Sequence, residues 1–191
     1  MDIAKVSWLE HYTKKMYMDD AGCDYIGEMK KKRINAFKGK CYEATVGIYE
    51  LCDGEGLTLY RTKDDEGVWH WFMVIDHLYE QRIKEGYTGD FLIDPTAYQY
   101  SIDGKVAPTH SIRHGKVGEE LDKAEKMKPL HFPSYKEKVK AFKDKLTSYM
   151  DDVESKKQRQ KRVSIMDFVE EDKEEGSPAI KKQVTLDEFF E

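Results

Sequence analysis

Cys41 begins an amphipathic run, GKCYEATVGIYEL (39–51), whose apolar residues recur at the three- and four-residue spacing of a helix face. This spacing predicts a buried helix with Cys41 in its first turn, where the helix dipole and free backbone N–H groups stabilise a thiolate. A thiol nucleophile needs a base, and the base needs an orienting partner. His70 inside V-W-H-W-F and Asp94 at the end of F-L-I-D are the candidates. Asn35, together with the Cys41 backbone N–H, is the candidate oxyanion donor.

The helices and strands predicted around these residues indicate an α+β domain over residues 1–154. VWHWFMVID (68–76) is apolar on both faces, which is typical of a central strand. If the strand ending at Asp94 lies beside it, His70 and Asp94 become neighbours. The other predicted elements are strands at 57–62 and 91–94, helices at 1–20, 24–33, 118–129 and 134–154, a long loop or short helix after residue 76, and a hairpin around Asp103-Gly104.

Each of these residues also has a purely structural interpretation. A cysteine on the apolar face of a helix is usually a core residue, and we interpret Cys23 and Cys52 in that way. A histidine within a strand is often a hydrogen-bonded structural residue, and an aspartate before Pro-Thr is often a turn or cap residue. The order of all three residues along the chain favours the catalytic interpretation.

The sequence around these residues resembles that of a known group of enzymes. H-W-F-x-V followed by F-L-I-D-P-T-A-x-Q-Y is similar to the "HWW…IDPTAxQF" pattern of small papain-like domains, within the papain-like, transglutaminase-like and NlpC-type cysteine hydrolases. The resemblance covers about residues 33–105. It implies a papain-like fold with helices packed on a small antiparallel sheet. It also implies Cys41 as nucleophile, His70 as general base and acid, and Asp94 as the orienting residue, acting on an amide, isopeptide or ester.

Neither a cofactor nor a metal site is expected. His110-x-x-x-His114 has helical spacing, but Pro108 and Gly115 favour a loop, and the other histidines show no zinc-type pairing. The three cysteines lack a C-x-x-C spacing, which favours a reducing, intracellular compartment.

Composition limits the partners. The net charge of −5 gives no global basic field, and no carboxylate cluster has metal-binding spacing, so we expect neither direct nucleic-acid binding nor nuclease chemistry. No run approaches the roughly 20 apolar residues of a membrane span, so we expect no membrane partner.

The last part of the chain, residues 155–191, is highly charged and predicts a disordered tail. It ends in K-K-Q-V-T-L-D-E-F-F-E, which resembles the sliding-clamp-binding motif of DNA replication and repair proteins, the PCNA-interacting peptide. Four residues match its defined positions: Gln183, Leu186, Phe189 and Phe190. The resemblance implies that the three apolar side chains fill a hydrophobic pocket of the clamp while the glutamine binds beside it.

A weaker second copy of this motif lies upstream. In K-R-V-S-I-M-D-F-V-E-E, Arg162 takes the glutamine position, Ile165 the leucine position and Phe168 the first aromatic position. Because a clamp ring has several equivalent pockets, two motifs on one chain could add avidity. The alternative is an amphipathic turn that packs on the domain.

Together these features predict a clamp-binding cysteine hydrolase or acyltransferase that acts near the replication fork. The clamp could be a PCNA-type ring or a phage or viral ring, and the location would be the cytoplasm, nucleoid or nucleus at replication sites. The alternative is a non-catalytic adaptor or inhibitor that competes with polymerases and repair enzymes for clamp pockets.

Overall fold

The computed structural model describes residues 2–86, 91–115 and 121–174, with side chains as far as residue 161. The chain divides into two compact units, Met1–Met150 and Asp151–Glu191. The described helices are α1 (Ile3–Asp20), α2 (Ile26–Lys32), α3 (Cys41–Leu51), α4 (Asp76–Glu85), α5 (Tyr98–Ile102), α6 (Thr109–His114) and α7 (Pro133–Glu174). The described strands are β1 (Leu57–Lys63), β2 (Trp69–Ile75), β3 (Leu92–Ile93) and β4 (Glu125–Met127), and a 3₁₀ turn spans Leu121–Lys123.

The strands form one antiparallel sheet in the order β3-β2-β1-β4, so the first unit is an α+β domain. β2 is internal, as its apolar faces predict, and it pairs along its whole length with β1. β3 is short because Pro95 follows Asp94 and cannot donate a ladder hydrogen bond. It pairs only with Met73 and Val74 of β2. The first half of β2 therefore has no strand beside it on the β3 side.

One face of the sheet carries a compact apolar cluster. Its buried members come from β2, β3 and the residue before it, α6 and the 3₁₀ turn: Phe72, Val74, Phe91, Leu92, Ile112 and Leu121. His70 precedes Phe72 by two residues, so its side chain projects to the same face of β2. The cluster closes this face next to His70, which is only 1% exposed.

α3 is buried on almost every side. Residues 42–48 are all buried, and Ala44, Val46 and Ile48 have no exposed surface. Gly47 lets α7 approach closely, because a Cβ atom at this position would lie 2.2 Å from Cδ1 of Phe142. The tight packing fixes α3, and with it the position of Cys41.

Several predictions about local structure need correction. For the stretch after residue 76, the structure has the second of the two predicted alternatives, a helix, α4. The predicted hairpin is wrong, because Asp103-Gly104 follows helix α5 instead of joining two strands. Residues 125–127 form β4 where the sequence predicted a helix, because pairing with β1 outweighs local propensity. Residues 118–120 of that predicted helix lie outside the described part of the chain.

The C-terminal boundary also differs. The sequence predicted disorder from residue 155, whereas α7 is helical through Glu174. Residues 134–174 contain no glycine or proline and are rich in Lys, Arg, Gln and Glu, which all favour helix. Residues 175–191 lie outside the described residues. None of the described helices is both long and apolar enough to cross a membrane.

Candidate active site

Cys41 is the first residue of α3, and its side chain is half-buried at the wall of a cleft. The N–H groups of the first helical turn have no intrahelical acceptor, and the N-cap residue, Lys40, provides no side-chain cap. These N–H groups and the helix dipole favour negative charge at the thiol. Sγ lies 3.9 Å from the carbonyl oxygen of Trp69 in β2.

The position of α3 follows from the shortness of β3. One turn after Cys41, Oγ1 of Thr45 donates a 3.1 Å hydrogen bond to the carbonyl oxygen of Trp71. Trp69 and Trp71 lie in the first half of β2, which β3 does not cover, so their carbonyl oxygens have no partner among the described strands on that edge. α3 thus packs along the part of the β2 edge that β3 leaves uncovered. This brings the thiol beside the strand that carries His70.

His70 and Asp94 form a buried hydrogen-bonded pair. Nε2 of His70 lies 2.8 Å from Oδ2 of Asp94, and the aspartate is 2% exposed. The same oxygen accepts a 2.7 Å hydrogen bond from Oγ1 of Thr109, and Oδ1 accepts a 3.2 Å bond from the backbone N–H of Thr96. The carboxylate is therefore oriented from three directions, and it fixes the ring of His70.

The electrostatics of this pair favour a charged imidazole. Burial lowers the pKa of His70, but the charge and hydrogen bond of Asp94, together with the contact of Cys41, raise this pKa to about 10. Burial raises the pKa of Asp94, but the charge of His70 and three hydrogen bonds bring it below its ordinary value. Because Nε2 faces Asp94, Nδ1 is the ring nitrogen left for the Cys41 thiol. The arrangement suits a thiolate–imidazolium ion pair.

Two residues of α5 complete the surroundings of His70. Nε2 of Gln99 lies 3.2 Å from Nδ1 of His70. The ring of Tyr100 meets the imidazole edge-on, with 5.1 Å between ring centroids and an angle of 82°. The Tyr100 hydroxyl donates to Oδ2 of Asp64 at 3.3 Å, which joins α5 to the turn between β1 and β2.

The cleft beside the thiol has a volume of about 500 Å³. Aromatic side chains dominate its walls: Tyr42, Trp69, Trp71, Tyr100 and Tyr135. Its lining has as many basic as acidic side chains, namely Lys38, Arg61 and Lys105 against Asp64, Glu66 and Asp103. Lys105 pairs with Glu66, Lys38 with Asp103, and Arg61 with Glu125 beside the cleft. Because these charges are balanced, the cleft suits a largely uncharged group next to Cys41.

Asn35 does not line the cleft beside the thiol, and its predicted role as oxyanion donor needs correction. Its Nδ2 atom donates to the backbone oxygen of Gln99 and to Oδ1 of Asp103, both at 2.9 Å. Both amide protons are thus used to hold the C-terminal end of α5. The loop that carries Asn35 packs on α1 and α5 through Phe37, which draws it away from Cys41.

The remaining cysteines and histidines lie elsewhere. Cys23 and Cys52 are buried, 3% and 8% exposed, as the interpretation as core residues predicts. His110 and His114 lie on helix α6, not in a loop, with 4.6 Å between ring centroids. The described part of the chain contains no group of three or more His, Cys, Asp or Glu residues suited to a metal ion.

Sequence reasoning missed three residues around His70: Gln99, Tyr100 and Thr109. A signal existed for the first two, because D-P-T-A-x-Q-Y places them five and six residues after Asp94 in a helix that begins beside it. No local signal identifies Thr109, which reaches Asp94 only because α6 folds back over the end of β3.

The clamp-motif side chains, both at 162–168 and at 183–190, lie outside the side chains that the structure describes. No family model, no curated protein and no solved structure matches this chain. The chain is therefore described from its own structure. It is an α+β domain in which a cysteine, a histidine and an aspartate lie at one edge of the sheet.

Proposed function

We propose that this chain is a papain-like cysteine hydrolase or acyltransferase. The observation that supports the proposal most strongly is the buried His70–Asp94 pair, 2.8 Å between Nε2 and Oδ2, with Cys41 beside it at a helix start. A buried carboxylate that raises the pKa of a histidine next to a thiol is the arrangement that activates a cysteine nucleophile. The substrate class is an amide, isopeptide or ester.

In the first half-reaction, the Cys41 thiolate attacks the carbonyl carbon of the substrate. A C–S bond forms and the carbonyl π electrons move to oxygen, where the first-turn N–H groups of α3 stabilise the negative charge. When the tetrahedral intermediate collapses, the C–N or C–O bond breaks. The leaving amine or alcohol takes the proton from Nδ1 of His70, and a thioester remains.

In the second half-reaction, neutral His70 accepts a proton from water or from an amine. That nucleophile attacks the thioester, the C–S bond breaks, and the sulfur leaves as a thiolate beside the new imidazolium. Throughout, Asp94 holds the ring so that Nδ1 faces the sulfur, and it stays ionised because three hydrogen bonds stabilise its charge.

Labelling with a fluorescent iodoacetamide at pH 6 tests this proposal. We expect Cys41 to react far faster than the two buried cysteines, and His70→Ala to remove this selectivity. His77→Ala, an exposed histidine on α4, is the matched control and should leave labelling unchanged. Labelling of Cys41 that is indifferent to His70 would sink the proposal.

We further propose that the C-terminal motif carries the domain to a DNA sliding clamp, PCNA-type or phage. This proposal is supported by the match of Gln183, Leu186, Phe189 and Phe190 to every defined position of the motif. Tethering would raise the effective concentration of the thiol near protein substrates at the fork. Without catalysis, the same motif would make the chain an adaptor or inhibitor that occupies clamp pockets.

Calorimetry with a purified sliding clamp tests the tether. Phe189→Ala with Phe190→Ala should abolish binding, whereas Phe168→Ala in the upstream copy should weaken it less. Phe132→Ala, which removes a phenylalanine that is 65% exposed outside both motifs, is the matched control. Unchanged affinity of the double variant for both a PCNA-type and a phage clamp would refute clamp binding through this motif.

A further inference from the structure

Two donors compete for one lone pair at the centre of the site. Nδ1 of neutral His70 accepts a single hydrogen bond, since Nε2–H donates to Asp94. Nε2 of Gln99 lies 3.2 Å from Nδ1, and the thiol of Cys41 also contacts the imidazole. The thiol has a second acceptor, the carbonyl oxygen of Trp69, 3.9 Å from Sγ.

These contacts define a complete hydrogen-bond pattern for the site when both Cys41 and His70 are neutral. The thiol faces the Trp69 oxygen, the Gln99 amide donates to Nδ1, and Nε2–H donates to Asp94. Proton transfer from Cys41 to His70 makes Nδ1 a donor, so the amide N–H of Gln99 then faces an N–H and must move. The Gln99 amide therefore favours neutral His70, whereas Asp94 favours the charged form.

Gln99 has the freedom that such a movement needs. Its backbone oxygen is held by Nδ2 of Asn35 at 2.9 Å, so α5 stays in place. Its side chain has an alternative acceptor, Oγ1 of Thr96, 3.5 Å from Nε2. Gln99 also lines the cleft, so a substrate that enters meets this amide.

We propose that Gln99 is a positioning residue that occupies the Nδ1 lone pair of His70 while the imidazole is neutral and gives up this position when His70 takes the proton of Cys41. This inference rests on the proposed thiol chemistry. It gives Gln99 an effect opposite to that of Asp94: the Gln99 amide lowers the fraction of the ion pair, which Asp94 raises.

The test is the pH dependence of Cys41 alkylation by iodoacetamide in Gln99→Leu and Gln99→Glu. The leucine removes the competing donor, so alkylation at pH 6 should become roughly twofold to tenfold faster, the range of one neutral hydrogen bond. The glutamate competes with the thiolate for the Nδ1 proton and repels it, so alkylation should become slower. Gln99→Met keeps the side-chain length without the donor and should repeat the leucine result if leucine impairs folding.

The other charged and titratable groups near the pair are unchanged in every variant: Asp94, Tyr100, Asp64, Tyr17, Glu43 and Glu10. Gln81→Leu makes the same chemical change at an exposed position of α4 and should leave the profile unaltered. A merely structural Gln99 predicts slower or unchanged alkylation in both Gln99→Leu and Gln99→Met, and that result overturns the inference. If the wild-type rate instead equals that of His70→Ala, the thiol chemistry fails as well.

Discussion

Replacing Asp94 by asparagine removes one charge from the buried pair and keeps the shape of the side chain. The asparagine oxygen can still accept from Thr109 or from the ring of His70. The substitution removes the negative charge that acts on the imidazole of His70. With the carboxylate gone, burial, which lowers the pKa of His70, is opposed mainly by Cys41.

The magnitude follows from the pKa of His70, which rises from an ordinary 6.5 to about 10. Asp94 contributes through its charge and through its hydrogen bond, and Cys41 contributes the rest. Hydrogen bonds to charged groups contribute about 1.5–3 kcal/mol, so the loss of Asp94 should change the ion-pair equilibrium roughly 10- to 100-fold.

The assay is the rate of Cys41 alkylation by iodoacetamide between pH 5.5 and 9.5, followed by mass spectrometry. We expect Asp94→Asn to react roughly 10- to 100-fold more slowly at pH 6, and the difference to vanish toward pH 9.5, where free thiols ionise unaided. Asp144→Asn, the same change at an exposed position on α7, should have no effect. A folded Asp94→Asn protein whose rate at pH 6 lies within twofold of wild type would refute the electrostatic reasoning.

Three further predictions concern stability and geometry. The raised pKa of His70 stabilises the folded state below pH 6.5, and this stabilisation is lost as the pH rises through about 10. The free energy of unfolding, measured by urea titration at each pH, should therefore fall across this window by at most about 5 kcal/mol. It should fall less in His70→Asn. Thr109→Val removes a buried 2.7 Å hydrogen bond to Asp94 and should cost about 1–3 kcal/mol in urea unfolding, with slower Cys41 alkylation; unchanged values would contradict this role. Gly47→Ala places a methyl group against Phe142 and should cost about 1–3 kcal/mol by thermal unfolding, which Phe142→Leu should partly relieve; a neutral result would mean that α7 shifts freely.

The sequence predicted the elements with strong periodicity. The α3 helix, the internal strand β2 and the strand before Asp94 are found within a residue or two of their predicted bounds. The first two carry long apolar patterns, and the third is a short apolar run stopped by Pro95; such patterns reflect burial directly. β4 escaped prediction because its three residues, Glu125–Met127, have no apolar pattern and form a strand only through pairing with β1.

For the site, chain order alone suggested the grouping of Cys41, His70 and Asp94. Chain order could not show that Asn35 binds α5 instead of the thiol, because that depends on the path of a loop over Phe37. Nor could it show Thr109 on Asp94, since the two residues meet only when α6 packs over β3.

Residue type and periodicity are local properties, so the side chains of the site and most of the elements that carry them could be identified from the amino-acid sequence. The distribution of charge and the hydrogen bonds of the site depend on the folded arrangement. The pKa of His70 depends on burial and on a carboxylate 24 residues away, and the competition between Gln99 and Cys41 for one nitrogen exists only where α3 and α5 meet the same strand. Interactions of this kind fall off over a few ångströms, so they follow from positions in space and not from spacing along the chain.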